Sequence, residues 1–336
     1  MKFVLIGMCL LGSTLAAAQE RVVNIYSARH YDTDEALYDE FEAATGIKVN
    51  RLEGGSDQLI VRLRREGRFS PADILITVDA GRLWRAEQAD LFQPVASESL
   101  TERIPANLRH PDNLWFGFSQ RARLIFYRKG AIDPTQIQTY EDLADPELRG
   151  RVCIRSSGNI YNLSLMASLI AAKGEQAALE WAQGVVANFA RRPQGGDIDQ
   201  LRALGAGVCD VAVANSYYFA RLMDSDASED AAVVEAVGWV FPNQQGCGTH
   251  VNISGAGLTA HAPHRAEAIA FLEYLAGDRA QRYFAEGNHE YPAVPGVERT
   301  APLDRLGPFK ADPLNVAELG RYQALAQRLF DRAGWP

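Results

Sequence analysis

The order of the apolar runs constrains this chain more than any other feature. VVNIYSA from Val22, IKVNRLEG from Ile47 and ADILITV from Ala72 each read as a strand. Two helical stretches lie between them, Thr33 to Thr45 stopped by Gly46 and Asp57 to Glu66 stopped by Gly67. Strands that alternate with helices over short connections predict a βαβαβ unit and a largely parallel α/β sheet. The third strand shows little polar alternation, as expected where helices cover both faces.

A second region of the same kind begins near Arg121. LIFYRK, RVCIRSS and VCDVAVAN read as strands, DPTQIQTYEDLADPELRG as a turn-rich helical segment, and Ile160 to Lys173, Glu175 to Phe189 and Ile198 to Gly205 as helices. Beyond Phe241 come the Gly-rich stretch QQGCGTHVNISGAG and helices at Pro263 to Ala276, Gly277 to Glu286 and Val316 to Arg332. A chain of 336 residues exceeds one ordinary core, so two lobes of about 150 residues each are expected. The absence of a flexible linker implies that the chain crosses between them.

The first eighteen residues, MKFVLIGMCLLGSTLAAA, carry Lys2, a short apolar core and small residues before Gln19, which reads as a cleaved secretory signal peptide. Cys9 lies inside the apolar core, without the small residues a lipoprotein anchor needs before it. No later stretch approaches the roughly 18 apolar residues of a membrane helix, so the exported chain is expected to have no transmembrane segment. Losing Lys2 leaves 33 basic against 42 acidic residues, about −9, and nucleic acid, which needs a basic face, is excluded as a partner. Cys153, Cys209 and Cys247 remain, enough for one disulfide and one thiol in an oxidising compartment. Three pairings are open. Cys153 with Cys209 is the expected one, because both lie in predicted strands of the second lobe.

Open α/β sheets collect ligands at the carboxyl ends of their strands. His30 and Tyr31 follow the first strand, Tyr161 follows RVCIRSS, and Tyr217 with Tyr218 follow VCDVAVAN. Any one of these tyrosines alone is a half-buried packing residue with its hydroxyl in water, and His30 alone is a capping or surface residue. Their recurrence at three strand ends argues for a shared site. An irregular turn at Tyr217-Tyr218 is expected to aim both phenols at one point.

Other motifs are weaker. GAGLTA, Gly255 to Ala260, lacks the rest of a dinucleotide fingerprint and reads as close backbone packing. His289-Glu290 begins no H-E-x-x-H motif and no G-x-S-x-G appears. His250, His261 and His264 read as surface or capping residues, and RLRREG, Arg62 to Gly67, as a solvated helix face.

YSARHYDTDEALYDEFEAATGIKV, SPADILITVDAGRLWRAEQADLFQPV, RVCIRSSGNIYNLSLMASLI, GDIDQLRALGAGVCDVAVANSYYFARL, GTHVNISGAGLTAHAPHRAEAIAFLEYL and FAEGNHEYPAVPGV resemble the periplasmic ferric-iron-binding proteins of ABC importers, in their tyrosine-rich, cyanobacterial-like branch. The similarity covers nearly the whole exported chain. It implies a two-lobed α/β periplasmic binding protein fold of type II, with a ligand cleft between lobes joined by crossover strands. The lobes it implies are residues 19–118 with 245–292, and 119–244 with 293–336. It further implies that Tyr31, Tyr161, Tyr217 and Tyr218 offer phenolates to Fe(III) as the transported ligand. His30 stands where some members bind iron through histidine, and Arg121 resembles a basic residue near the metal. A water or carbonate is a further candidate for the shell. The implied partner is an inner-membrane ABC permease, the place the periplasm, the state a monomer, and the role binding rather than catalysis.

The chemistry agrees. Fe(III) is a small, hard ion that favours anionic oxygen over thiolate or imidazole, and a bound trivalent cation can displace the proton of a phenol whose ordinary pKa is about 10. Four phenolates against +3 leave about one negative charge for Arg121 or a shared proton to offset. Two rivals stand beside this reading. One is another ligand on the same fold, such as an oxyanion held by Arg121, Ser156, Ser157 and Asn215, a polyamine or a thiamine-like cation. The other is an iron-dependent enzyme, although no two-histidine, one-carboxylate spacing appears.

Overall fold

The computed structural model describes residues 20–29 and 34–336; His30, Tyr31 and the leader lie outside the described residues. Three strands open the chain, β1 (Val22–Ser27), β2 (Lys48–Glu53) and β3 (Ile74–Val78). β1 pairs in parallel with both of the others, and helices Asp34–Thr45 and Ser56–Glu66 connect them. This is the expected βαβαβ unit.

The remainder departs from a largely parallel sheet. β4 (Phe116–Arg128), β5 (Val152–Cys153), β6 (Val211–Asn215), β7 (Val237–Val240), β8 (Val251–Leu258) and β9 (Tyr291–Pro292) complete the order β2-β1-β3-β8-β4-β6-β5, with β7 and β9 also on β4. β8 lies antiparallel between β3 and β4, and β4 is antiparallel to β6, β7 and β9, so the sheet is mixed. The reason lies in β4, which at 13 residues reaches roughly 40 Å. Its first half, to Ala122, pairs with β8 and its second half, from Arg123, with β6. One strand thereby belongs to two sheet regions, and β8 returns along it.

The same strand threads three apolar cores. Phe116 and Phe118 pack with β1, β3 and helix Arg265–Leu275; Ile125 packs with helix Ile160–Lys173; Ala122, Leu124 and Phe126 pack with Cys153, Cys209 and Phe219. β8 approaches so closely that side chains are excluded. A Cβ at Gly255 would lie 2.5 Å from the Phe116 carbonyl oxygen, and one at Gly257 2.6 Å from the Phe92 ring. GAGLTA is therefore a packing motif, as its incomplete fingerprint suggested.

Helix Ile160–Lys173 has the bounds its sequence predicts, because Asn159 caps its start and Gly174, at φ 84°, ends it. The C-terminal helix is instead broken at Tyr322 into Ala317–Arg321 and Gln323–Ala333. The turn-rich segment after Asp133 forms three short 3₁₀ turns. Cys153 and Cys209 are bonded, with Cα atoms 5.9 Å apart, and Cys247 is an exposed thiol. Cys209 itself sits just before β6 rather than within it. Among the described residues no helix is long and apolar enough to cross a membrane.

Candidate metal centre

Two helices begin at one place. Helix Ile160–Lys173 carries Tyr161 as its second residue, and helix Ser216–Met223, starting directly from the carboxyl end of β6, carries Tyr217 and Tyr218 as its second and third. The tyrosine pair is thus in the first turn of a helix, not in an irregular turn. Unpaired backbone N–H groups make a helix start partly positive, so both helices favour a phenolate where these side chains leave them.

The Tyr161 and Tyr217 hydroxyls are 3.2 Å apart. The Tyr217 and Tyr218 rings lie side by side, centroids 4.1 Å apart and planes 33° inclined. Tyr217 is buried, while Tyr161 and Tyr218 are half-buried. Burial, followed by the charges of Tyr161 and Asp197, pushes the Tyr218 phenol above its ordinary value of 10.0. Without a cation beside it, that phenol keeps its proton at neutral pH.

Guanidinium groups surround the phenols. Arg121, Arg123 and Arg155 stand 5.7, 5.8 and 5.6 Å from the Tyr161 ring centroid, and Arg221 stands 5.1 and 5.9 Å from those of Tyr217 and Tyr218. Arg123 works as a strut: it donates to Asp197 at 3.1 Å, Asn215 at 2.9 Å and Asn162 at 2.8 Å. Asp197 also accepts from the Asn215 backbone N–H at 2.8 Å. One buried cation on β4 therefore fixes the starts of both tyrosine-bearing helices.

Arg121 is anchored along one edge only. Its Nη1 donates to Ser254 at 2.9 Å and lies 3.6 Å from Glu290, while Nε and Nη2 are buried without a hydrogen-bond partner. Glu290 accepts from Arg29 at 2.8 Å, Ser119 at 2.8 Å and Ser254 at 3.1 Å. Burial opposes its ionisation, but Arg29 and Arg121 prevail and hold its carboxyl below the usual range. Arg29 also grips Asp34 at 3.1 and 3.2 Å, immediately either side of residues 30–33. Arg121 itself is held above its ordinary value: burial opposes this, and Glu290, Tyr161, Tyr217 and Asp79 outweigh it.

The structure thus gathers Tyr161, Tyr217, Tyr218 and Arg121. His250 departs from the surface or capping role expected of it. It is buried, and burial together with Arg123 and Arg121 depresses its pKa to about 3. His264 stands at the N-cap position of its helix and meets Asp73 at 3.0 Å, and His261 is exposed. Ser156 is exposed and Ser157 buried, whereas Asn215 meets the phenol cluster through Arg123 and leaves its Nδ2 unpartnered. Sequence reasoning missed Arg123, Asp197, Asn162, Arg29 and Glu290. Arginines two apart within an apolar strand were the available signal, since same-face charges in a buried strand require partners.

Oxygen ligands held roughly 2 Å from one ion lie roughly 2.8–3.3 Å from each other, which fits the Tyr161–Tyr217 separation. Among the described residues no group of three or more His, Cys, Asp or Glu side chains gathers to hold a metal. The oxygen donors gathered at this place are the phenols of Tyr161, Tyr217 and Tyr218.

Residues 36–315 match the family model described as bacterial extracellular solute-binding protein. Iron uptake protein A2 of Synechocystis sp. is 56% identical over 322 residues, covering 95% of this chain and 92% of that protein. The Fe(3+)-binding periplasmic protein of Serratia marcescens is 29% identical over 314 residues, covering 93% and 90%. Among solved structures, a Trichodesmium protein (IdiA, FutA) in complex with iron and citrate superimposes with a TM-score of 0.92 at 54% identity, covering 94% of this chain and 100% of that one.

Proposed function

The chain belongs to the bacterial extracellular solute-binding proteins, in their periplasmic Fe(3+)-binding, cyanobacterial-like branch, and from that membership we propose that it captures Fe(III) for an ABC importer. The observation that carries the proposal is the convergence of Tyr161, Tyr217 and Tyr218 at two helix starts beneath an Arg121 that keeps two unpartnered nitrogens. Tyr31 completes the set as a fourth phenolate from the first lobe, with His30 beside it.

Each phenol gives up its proton as the ion binds, because a trivalent cation at bonding distance favours the phenolate more strongly than burial disfavours it. The helix starts and Arg121 offset the single negative charge left over. The unpartnered nitrogens of Arg121, and Arg155 Nε, suit an oxyanion such as carbonate, or a water, as a further ligand. Catalytic iron keeps open positions for substrate; a shell of four phenolates suits carriage, so the chain is a carrier and not an enzyme.

The lobes are residues 19–118 with 245–292 and 119–244 with 293–336. The division of β4 between two sheet regions supports this, although Val316 and Leu319 pack into the first core. A ligand taken from both sides closes the cleft as a hinge. The protein works in the periplasm as a monomer and hands its cargo to an inner-membrane permease. Metal analysis of protein purified from iron-replete cells tests this: one equivalent of iron is expected, and an oxyanion or organic cation without iron would refute it.

A further inference from the structure

The segment from Val61 to Phe69, VRLRREGRF, is not used by the iron site. It ends helix Ser56–Glu66 and runs into the turn Gly67–Phe69. Three large apolar side chains are exposed among the described residues, and two of them are here, Val61 at 44% and Phe69 at 79%. Arg64, Arg65 and Arg68 are exposed and form no ion pair among the described residues, whereas Arg62 is held by Glu66 at 2.7 Å. The Arg68 guanidinium lies 4.8 Å from the Phe69 ring centroid. Arg64 and Arg65 in the last helical turn complement the helix dipole. That role does not extend to Arg68 and Phe69, which lie past the helix end.

The place of this tip follows from the sheet. Thr77, near the carboxyl end of β3, donates to Ser56 at 2.7 Å, so the helix starts at the strand ends where the tyrosines gather and finishes at the opposite end. There Asn24 of β1 donates to the Pro71 carbonyl at 2.9 Å, and the Asp73 N–H donates to the Asn24 carbonyl at 2.8 Å. The arginines and Phe69 therefore share a pole with the start of β1, where the expected leader joins the folded chain.

We propose that this pole is a docking surface for an anionic lipid membrane. Unpaired guanidinium groups around a protruding aromatic ring suit a charged headgroup layer that moulds to a convex tip and admits the ring at its apolar boundary. The chain as a whole is acidic, at −8, so the attraction is local and short-ranged, within a Debye length. Docking here leaves the tyrosine cluster facing away from the membrane, open for loading.

The test is sedimentation of the leader-free protein with vesicles of phosphatidylglycerol and phosphatidylcholine, against vesicles of phosphatidylcholine alone, at low and high salt. Binding only to the anionic vesicles, weakened by salt, is expected. Arg64→Gln with Arg65→Gln and Arg68→Gln should weaken it by roughly tenfold or more, and Phe69→Ser by less. Both variants should still unfold cooperatively and take up iron, the triple arginine variant at a slightly lower melting temperature because the helix end loses two favourable charges, which shows that they fold. Failure to bind anionic vesicles, equal binding to neutral ones, or undiminished binding by folded variants would overturn the proposal. Retention on polyglutamate without vesicle binding would overturn it too, by pointing to an acidic protein instead.

Discussion

Arg121 and Arg123 sit two residues apart on β4, both buried and both close to the Tyr161 ring, yet their surroundings differ. Arg123 has Asp197, Asn215 and Asn162 as partners, on three different elements, and lacks one only at Nε. Arg121 uses a single edge, toward Ser254 and Glu290, and leaves Nε and Nη2 unpartnered. A buried donor without an acceptor costs free energy, so on the proposed iron-binding reading the Arg123 region is mainly scaffold and Arg121 is the group that a bound ligand would complete. Stability should therefore follow Arg123 and cargo should follow Arg121.

Variants can break that division. The largest effect is expected for Arg123→Met, which leaves buried Asp197 with the Asn215 N–H at 2.8 Å and, as its remaining charged partner among the described residues, the more distant Arg155 at 3.4 Å. Breaking a buried pair this way costs about 3–5 kcal/mol, read by chemical unfolding of iron-free protein. Reduction of the Cys153–Cys209 bond, which braces the segments leading to Tyr161 and Tyr217, should lower stability by about 2–4 kcal/mol, read by the same measurement. Arg121→Met should leave stability closer to wild type, because Glu290 retains Arg29, Ser119 and Ser254. It should instead speed iron loss to a chelator by roughly 10–100-fold. An Arg121 variant that unfolds as readily as the Arg123 variant, with unchanged iron release, would erase the distinction.

The effect that is smallest at neutral pH sharpens it. His250 faces both arginines, and its folded pKa of about 3 lies below its ordinary 6.5. The unfolded chain then binds the proton more readily, so stability is present above pH 6.5 and declines as pH falls toward 3. His250→Asn should flatten that part of the acid profile of iron-free protein; an unchanged profile would show that carboxylates alone set it.

Much of this was legible in the residues. The gathering of Tyr161, Tyr217 and Tyr218 and the bounds of helix Ile160–Lys173 could be read because caps, apolar period and strand ends are local signals. The first half of β4 and the whole of β8 could not. FGFSQRA and VNISGAGL are rich in Gly and polar residues, yet both are buried, since their side chains are fixed by cross-sheet partners distant in sequence. For the same reason the mixed sheet escaped a βαβ reading. Glu290 was hidden too: its partners are Arg29, Ser119, Arg121 and Ser254, which no spacing near residue 290 reveals.

Whether the adjacent phenols at the start of helix Ser216–Met223 hold the ion is decided by one spectrum. Ferric iron added to the purified protein should produce a visible phenolate-to-iron charge-transfer band. Tyr217→Phe with Tyr218→Phe should abolish most of that band and the tight binding with it, while the iron-free variant keeps its fold. A wild-type protein that stays colourless with iron bound, or a double variant with the same band and affinity, would contradict the claim.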